Sequence, residues 1–495
     1  MRISPYAATL AGAILILYAQ GGFVPGYSPD SVQYLACANN LMDGKGFHSF
    51  DGLPFTGWAP LQPLIIAFMG ILGMNPVTAP FWISLFSLAG IVFTVHYVLE
   101  RSLSSRPLII IGTFSMLMPA MFAFYYMAWS EPLFCLLALW LVIFFHKYLE
   151  REKAALLAAA GVMAGLACLQ RYIGACLVMA AVFLLLVRPS RTGFLQRIKE
   201  CLLFGTIASA PVFAWMARNY VTVSYLTGPR KPSGHNLFEV LNTFGATAAY
   251  LVYPWDMSKP LKALLIFAAA GFMGLAFKKA GGVSMAVNSF KKWTFPWTLG
   301  VMTAAYISAI FLTYLNTLLD DSATRYIAVF YFGIIILAFW LFDRASSTKD
   351  AKSPERTKSI IMLVCAAWLA AGLVGSVKNA ADLHNAGVGN YHEKKWADSG
   401  TAQWITENPP TGRAYSNLAH FVYYKTGAEC RLLPKERSKL DMLHADVLEN
   451  GSVQVIWFNA ANRKPDYSLD SFMNKYRVVI NAALNDGKVL TLYPS

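Results

Sequence analysis

Four short stretches of this chain place ionisable side chains in otherwise apolar surroundings. Asp30 lies in PDSVQYLACANNLMDGKGF, directly after an apolar N-terminus. Glu131 lies in AWSEPLF, Arg171 in LQRYIG, and Asp320, Asp321 and Arg325 in LDDSATRYIAVF. Charges this close to hydrocarbon are costly, and where they occur they usually mark function. Two arginines opposite carboxylates can hold an anion beside a base. The guanidinium is always charged and is forked to match phosphate or carboxylate oxygens, and a carboxylate can take a proton from a hydroxyl. Each residue also has a plainer explanation. Asp30 suits the first turn of a helix, where the dipole favours acids. Glu131 could cap the helix that follows it, and either arginine could pair with a lipid headgroup.

The elements that must position these residues are mostly membrane helices. The chain has 495 residues, 56% of them hydrophobic and only 14% charged, with a mean hydropathy of +0.45; soluble domains carry about 25% charge. Apolar runs recur from residue 7 to residue 377 and predict eleven spans: 7–24, 81–99, 107–127, 132–146, 154–169, 173–187, 198–217, 261–277, 295–315, 327–342 and 360–377. The apolar stretch 61–72 is too short to cross and is expected to be interfacial or re-entrant. The expected fold is therefore an all-α polytopic membrane domain over 1–378, with interfacial helices in a first outer loop at 26–79. In that loop Ser28 and Pro29 are expected to open a helix, Ser28 as its cap, with Val32, Leu35, Ala36 and Met42 as a rough apolar stripe.

Charge sets the expected orientation. Arg101 and Arg106, the basic residues from Lys147 to Lys153, from Arg188 to Lys199, from Lys278 to Lys292 and from Arg344 to Lys358 fall on one set of alternate loops. The other set carries only Lys45, Arg171, Arg218, Arg230, Lys231, Lys259 and Arg325. The richer side is expected to be cytoplasmic, with an uncleaved first span. Eleven spans then put the C-terminal part, 379–495, outside, along with Asp30, Glu131, Arg171 and Arg325. That part reads as a small α/β domain: GRAYSN, SVQVIWFN, KYRVVIN and KVLTLYP are strand-like, and LAHFVYYKTG is helical with a glycine stop. It shows no nucleophile motif or phosphate loop.

The net charge of +14 is accounted for by the cytoplasmic loops and points to no nucleic acid. Seven cysteines show neither CxxC nor metal spacing with histidine. Five lie in apolar runs; Cys37 and Cys430 do not, and a disulfide between them is compatible with the sequence. No metal ligand set is predicted.

In order and spacing, these pieces resemble the polytopic GT-C glycosyltransferases that use polyprenyl-phosphate sugars, including the protein O-mannosyltransferases and the aminoarabinose transferases. The matching stretches are PDSVQYLACANNLMDGKGF, DGLPFTGWAPLQPLIIAFMGILG, SEPLFCLLALW, LQRYIGACLVMA, ARNYVTVSYLTGPRKPSG and SATRYIAVFYF, then AQWITENPPTGRAYSN and HFVYYKTG. Pro29 and Ser31 flank Asp30 where many relatives carry a second acid. Trp58-Ala59-Pro60 stands where the aminoarabinose transferases place a lysine before a proline pair. The resemblance implies a sugar moved from a polyprenyl-phosphate donor to a hydroxyl of a lipid, glycan or protein acceptor at the extracytoplasmic face of the cell (inner or plasma) membrane, by single displacement with inversion. Its implied catalytic residues are Asp30, as the base, and Glu131. Arg171, Arg325, Tyr326, Asp321 and Tyr34 are implied to bind substrate, and no cofactor is required, although a divalent ion is left open. The alternatives are a lipid or sugar transporter or flippase, or a polymer ligase or oligosaccharyltransferase on the same architecture. A transporter predicts inverted repeats and charges at mid-membrane, whereas here the charges gather at one surface.

Overall fold

A computed structural model describes residues 3–188, 193–253, 255, 257–319, 323–347, 354–436, 439–459, 466–469, 472 and 475–495. Asp320 and Asp321 lie outside the described residues.

The chain divides into two compact units, each built from separated stretches: Met1–Gly22, Thr56–Leu61 and Phe81–Asp382 in the first, Phe23–Phe55, Gln62–Pro80 and Leu383–Ser495 in the second. The first unit is helical. Eight described helices are long and apolar enough to cross a bilayer: Ile3–Gln20, Ala79–Ser102, Glu131–Arg151, Phe194–Val223, Pro260–Lys279, Phe295–Asn316, Thr324–Ser347 and Glu355–Ala386. A ninth is the bent pair Arg106–Leu117 and Pro119–Tyr126, broken by 41°. The break follows from Pro119, which forces Met118 into an extended conformation with ψ 147°. The break leaves the Leu117 carbonyl in need of a partner, and the Ser376 hydroxyl donates to it at 2.5 Å.

The shorter helices Ala154–Gln170 and Tyr172–Val187 coincide with two further expected spans. Glycine sets the packing of the first. Gly161 and Gly165, four residues apart, face the Phe194–Val223 helix, and a Cβ on Gly165 would lie 3.1 Å from the Ala208 carbonyl oxygen. This is the small-xxx-small contact that lets backbones approach in membranes. It fixes the helix whose end delivers Arg171.

One apolar helix, Leu237–Val252, is additional to the sequence expectation. Its interior threonines and glycine dilute its hydropathy, yet its start was legible. Asn236 and Glu239 form a complete capping box, Asn236 Oδ1 accepting from the Glu239 N–H at 3.0 Å and Glu239 Oε2 from the Asn236 N–H at 2.9 Å.

The second unit combines the early loop with the C-terminal residues. Its sheet has the order β2-β1-β3-β5-β4, with β1 (Ala414–Ser416) parallel to β2 (Arg431–Leu432) and β3 (Val453–Phe458), and β5 (Gly487–Tyr493) antiparallel to β3 and β4 (Arg477–Leu484). Four strands and the helix Ala419–Thr426, stopped by Gly427 at φ 70°, fall where the sequence places them. The two-residue β2 is too short to be seen in sequence. Beneath the sheet, Val453, Val455, Leu490 and Leu492 pack with Leu443 and Val447 of the helix Asp441–Asn450.

The helix Pro29–Met42 is buried on nearly all sides rather than along one stripe. Its polar residues find partners inside the unit: Gln33 accepts from the Ser49 hydroxyl, and Asn40 Nδ2 donates to the carbonyls of His48 and Ser49 at 3.1 and 3.4 Å. Ser28 occupies the cap position, but its side chain makes no backbone cap; its hydroxyl lies 3.1 Å from that of Ser31. Cys37 and Cys430 are both buried and are not joined by a disulfide. The helix Leu61–Ile71 has 11 residues, about 16 Å of rise, well short of a bilayer.

Gly165→Leu should lower the thermal unfolding temperature in detergent, because it overpacks a closed interface at a cost of about 1–3 kcal/mol. Gly205→Leu, in the neighbouring helix with open space at its Cβ, should leave it nearly unchanged. Equal shifts would show that the Gly161–Gly165 contact does not hold these helices.

Candidate active site

In the first unit, the SEP turn, the QRY turn and the TRY turn meet. Ser130 opens the helix Glu131–Arg151, and Pro132 lacks a backbone N–H where the first helical turn needs none. Glu131 is thereby held at a helix start, where the dipole favours a carboxylate, and its exposure is 0%. A carboxylate so placed must be paired, and two guanidiniums pair with it. Arg171 Nη1 lies 2.7 Å from Glu131 Oε1, and Arg325 Nε donates to the same oxygen. Arg325 is 7% and Arg171 16% exposed at the side chain.

Each arginine is aimed by its own segment. Arg171 has φ −153° and ψ 129°, an extended residue that ends the helix Ala154–Gln170. Its Nη1 also donates to Ser130 Oγ at 2.9 Å, and the preceding Gln170 donates to the Ser130 carbonyl at 3.1 Å. The Arg325 guanidinium lies over the Trp129 ring, 3.9 Å from its centroid. Tyr326 stands beside both arginines, its ring centroid 5.7 Å from the Arg171 guanidinium carbon and 5.5 Å from that of Arg325. The Tyr326 carbonyl in turn accepts from the Tyr306 hydroxyl at 3.0 Å. Stacking against aromatic faces holds a guanidinium in plane while leaving its edge directed elsewhere.

The structure therefore unites Glu131, Arg171, Arg325 and Tyr326 in one cluster. Both arginines share one oxygen, while Glu131 Oε2 is buried with no hydrogen-bond partner among the described residues. Trp129, Ser130, Gln170 and Tyr306 were not anticipated. The first three are immediate neighbours of residues singled out for their charge. Tyr306 sits mid-helix and has no local signal.

Asp30 and Tyr34 belong to the second unit. Asp30 is half-buried in the first turn of its helix, and Tyr34 is buried. Around Asp30 the unit gathers tyrosines. Burial, together with the nearby Asp30 charge, pushes the Tyr391 hydroxyl pKa upward. The Tyr391 N–H donates to the Tyr27 carbonyl at 3.1 Å. Tyr27 stacks on Tyr424 at 4.7 Å, and burial raises the Tyr424 hydroxyl to about 12. The other acids of the early loop are placed differently. Asp43 is exposed beside Lys45 at 3.2 Å. Asp51 Oδ1 accepts from the Leu53 N–H at 3.2 Å, and burial raises its pKa. Among the described residues, no group of three or more His, Cys, Asp or Glu side chains is placed to hold a metal ion.

Residues 58–215 match the family model described as dolichyl-phosphate-mannose-protein mannosyltransferase. No curated relative matches the chain. Among solved structures, the chain is similar to ArnT from Cupriavidus metallidurans in the apo state, with a TM-score of 0.61 and 12% identity over 98% of this chain and 97% of that one. It is similar also to the same protein bound to undecaprenyl phosphate, with a TM-score of 0.59 and 11% identity over the same shares. The GT-C resemblance is thus carried by a family match over about a third of the sequence and by the fold over nearly all of it.

Glu131→Gln should cost about 3–5 kcal/mol of stability, the usual price of breaking a buried ion pair, read as a loss of thermal stability in detergent. Glu131→Gln combined with Arg325→Gln should recover part of that loss, because fewer uncompensated charges remain. A silent single variant would show that the cluster does not support the fold.

Proposed function

We propose that this protein is a membrane glycosyltransferase that moves a sugar from a polyprenyl-phosphate donor to an acceptor hydroxyl at the extracytoplasmic face. The observation that carries this reading is the paired arginines on Glu131. They form a preorganised cationic pair inside a fold of the kind seen in ArnT.

The chemistry assigns the roles. As the anomeric carbon–oxygen bond of the donor breaks, negative charge grows on the leaving lipid phosphate. Fixed guanidiniums stabilise that charge without reorganising at the moment of reaction, and Arg171 and Arg325 take this role. Glu131 orients them through its shared oxygen. The acceptor hydroxyl loses its proton as its oxygen attacks, and Asp30 takes that proton. Attack on the face opposite the departing phosphate inverts the anomeric centre. Tyr34, Tyr326 and Asp321 are assigned to substrate binding. The basic loops orient the multi-pass chain with its N-terminus cytoplasmic and the second unit extracytoplasmic, which supports a role for that unit in selecting the acceptor. No metal is required by this scheme.

The direct test is incubation of the purified protein with a panel of polyprenyl-phosphate sugars, watching for sugar release and transfer. No turnover of any donor would remove the proposal and favour a transporter, for which a lipid-flipping assay in vesicles is the check.

Asp30→Asn should lower transfer by about 10²-fold or more, the range for a lost general base, while donor binding stays close to normal. Asp43→Asn and Asp51→Asn, in the same loop, should remain near the parent. If Asp43 or Asp51 proves the sensitive position, the base is misassigned. Arg171→Ala and Arg325→Ala should each weaken donor use strongly, and lysine at either position should restore only part of it because the fork is lost. Ordinary donor turnover in both alanine variants would remove the phosphate role.

A further inference from the structure

At the end of the first unit opposite the Glu131 cluster, three spans and a short helix enclose an apolar cleft of about 360 Å³. Its walls include Phe277, Met285, Trp297, Leu337, Trp340 and Leu341. Arg325 and Arg344 lie near the two ends of the helix Thr324–Ser347. Nineteen residues of helical rise separate them by roughly 28 Å, about the thickness of the bilayer hydrocarbon.

Cationic side chains surround this end. Lys278 and Lys279 close the preceding span, Lys291 ends the helix Gly282–Lys291 and Lys292 follows it, and the Arg344 guanidinium lies 5.2 Å from the centroid of the Trp340 ring that lines the cleft. The helix Gly282–Lys291 turns Met285 and Ser289 into the protein. On its other side Val283, Val287 and Phe290 stand exposed at i, i+4 and i+7, Val283 to 71%. An exposed apolar stripe bordered by lysines is the signature of a helix lying in a bilayer interface. One indole of the cleft wall, Trp297, keeps a buried donor. The Trp297 indole Nε1 is buried and has no hydrogen-bond partner among the described residues, and a buried N–H of this kind calls for an acceptor.

We propose that this cleft binds one anionic glycerophospholipid of the bilayer. An acyl chain fills the apolar walls, and the headgroup phosphate lies among Lys291, Lys292 and Arg344, with the Trp297 N–H donating to a phosphate or ester oxygen. The occupant follows from three features together: apolar space between the spans, cationic side chains at their basic ends, and a buried donor in need of an oxygen. A polyprenyl phosphate offers similar chemistry. The charged pair suited to it, however, lies at the other end of the same helix. The inference does not depend on the transfer reaction.

The test uses the whole protein in phosphatidylcholine bilayers containing brominated phosphatidylglycerol or brominated phosphatidylcholine, which quench tryptophan fluorescence on contact. The Trp297 contribution is the difference between the parent and Trp297→Phe. It should be quenched at a mole fraction of brominated phosphatidylglycerol at least about fivefold lower than of the phosphatidylcholine analogue, given the attraction of each basic residue for an anionic surface. Lys291→Gln with Lys292→Gln and Arg344→Gln should bring that ratio close to one. Native mass spectrometry of the purified protein should show one retained phosphatidylglycerol in the parent and less in the triple variant. Equal quenching by both lipids, no Trp297-dependent quenching, or a ratio unchanged in the triple variant would each overturn the proposal. Quenching relieved by undecaprenyl phosphate but not by unbrominated phosphatidylglycerol would overturn it too, and would give the cleft to the sugar carrier.

Discussion

A carboxylate with no exposure to solvent cannot stand alone, and the first unit is arranged around that constraint. Glu131 draws its partners from two other segments, Arg171 at the end of one helix and Arg325 near the start of another. Three turns are fixed at one oxygen atom. Two guanidiniums this close repel one another, so neither would hold its position without the carboxylate. The aromatic faces of Trp129 and Tyr326 then restrict how each guanidinium can rotate. The surrounding packing serves the same end. The close approach of Gly165 to the Phe194–Val223 helix sets the axis of the helix that presents Arg171.

The second unit solves a different problem. Its helix Pro29–Met42 carries serine, glutamine and asparagine into a buried setting, which is tolerable only because the loop 44–55 folds back to meet them. Asp30 stays at the half-buried start of that helix, near the Tyr391 ring. Glu131 is spent on two arginines. The charge of Asp30 is felt by the hydroxyl of Tyr391.

What could be read in advance was whatever depends on local composition. Apolar runs located nearly every membrane helix, because twenty apolar residues have few other uses. The charged residues flagged near span ends included Glu131, Arg171 and Arg325, which do converge, because hydrocarbon leaves isolated charges little choice. What escaped notice depends on distant partners. Nothing adjacent to Tyr306 announces that its hydroxyl will reach the Tyr326 carbonyl, and the two-residue strand Arg431–Leu432 exists only through its neighbour β1. The all-round burial of Pro29–Met42 could not be foreseen for the same reason, since the helix Ala419–Thr426 that covers part of it comes nearly four hundred residues later. The helix Leu237–Val252 is different. Its capping box is a local signal, while threonine and glycine dilute its hydropathy.

The composition of the second unit also sets an order of events in synthesis. Residues Phe23–Phe55 and Gln62–Pro80 emerge early, but the rest of the unit they fold into begins at Leu383. At translation rates of 5–20 residues per second, the roughly 330 residues between Phe55 and Leu383 take about 16–65 s to make. Throughout that interval the early loop is without its sheet, and Tyr27 is without Tyr424, the ring it stacks on. Ten or so membrane helices are inserted meanwhile. The assembly of this unit is therefore bound to the completion of the whole chain.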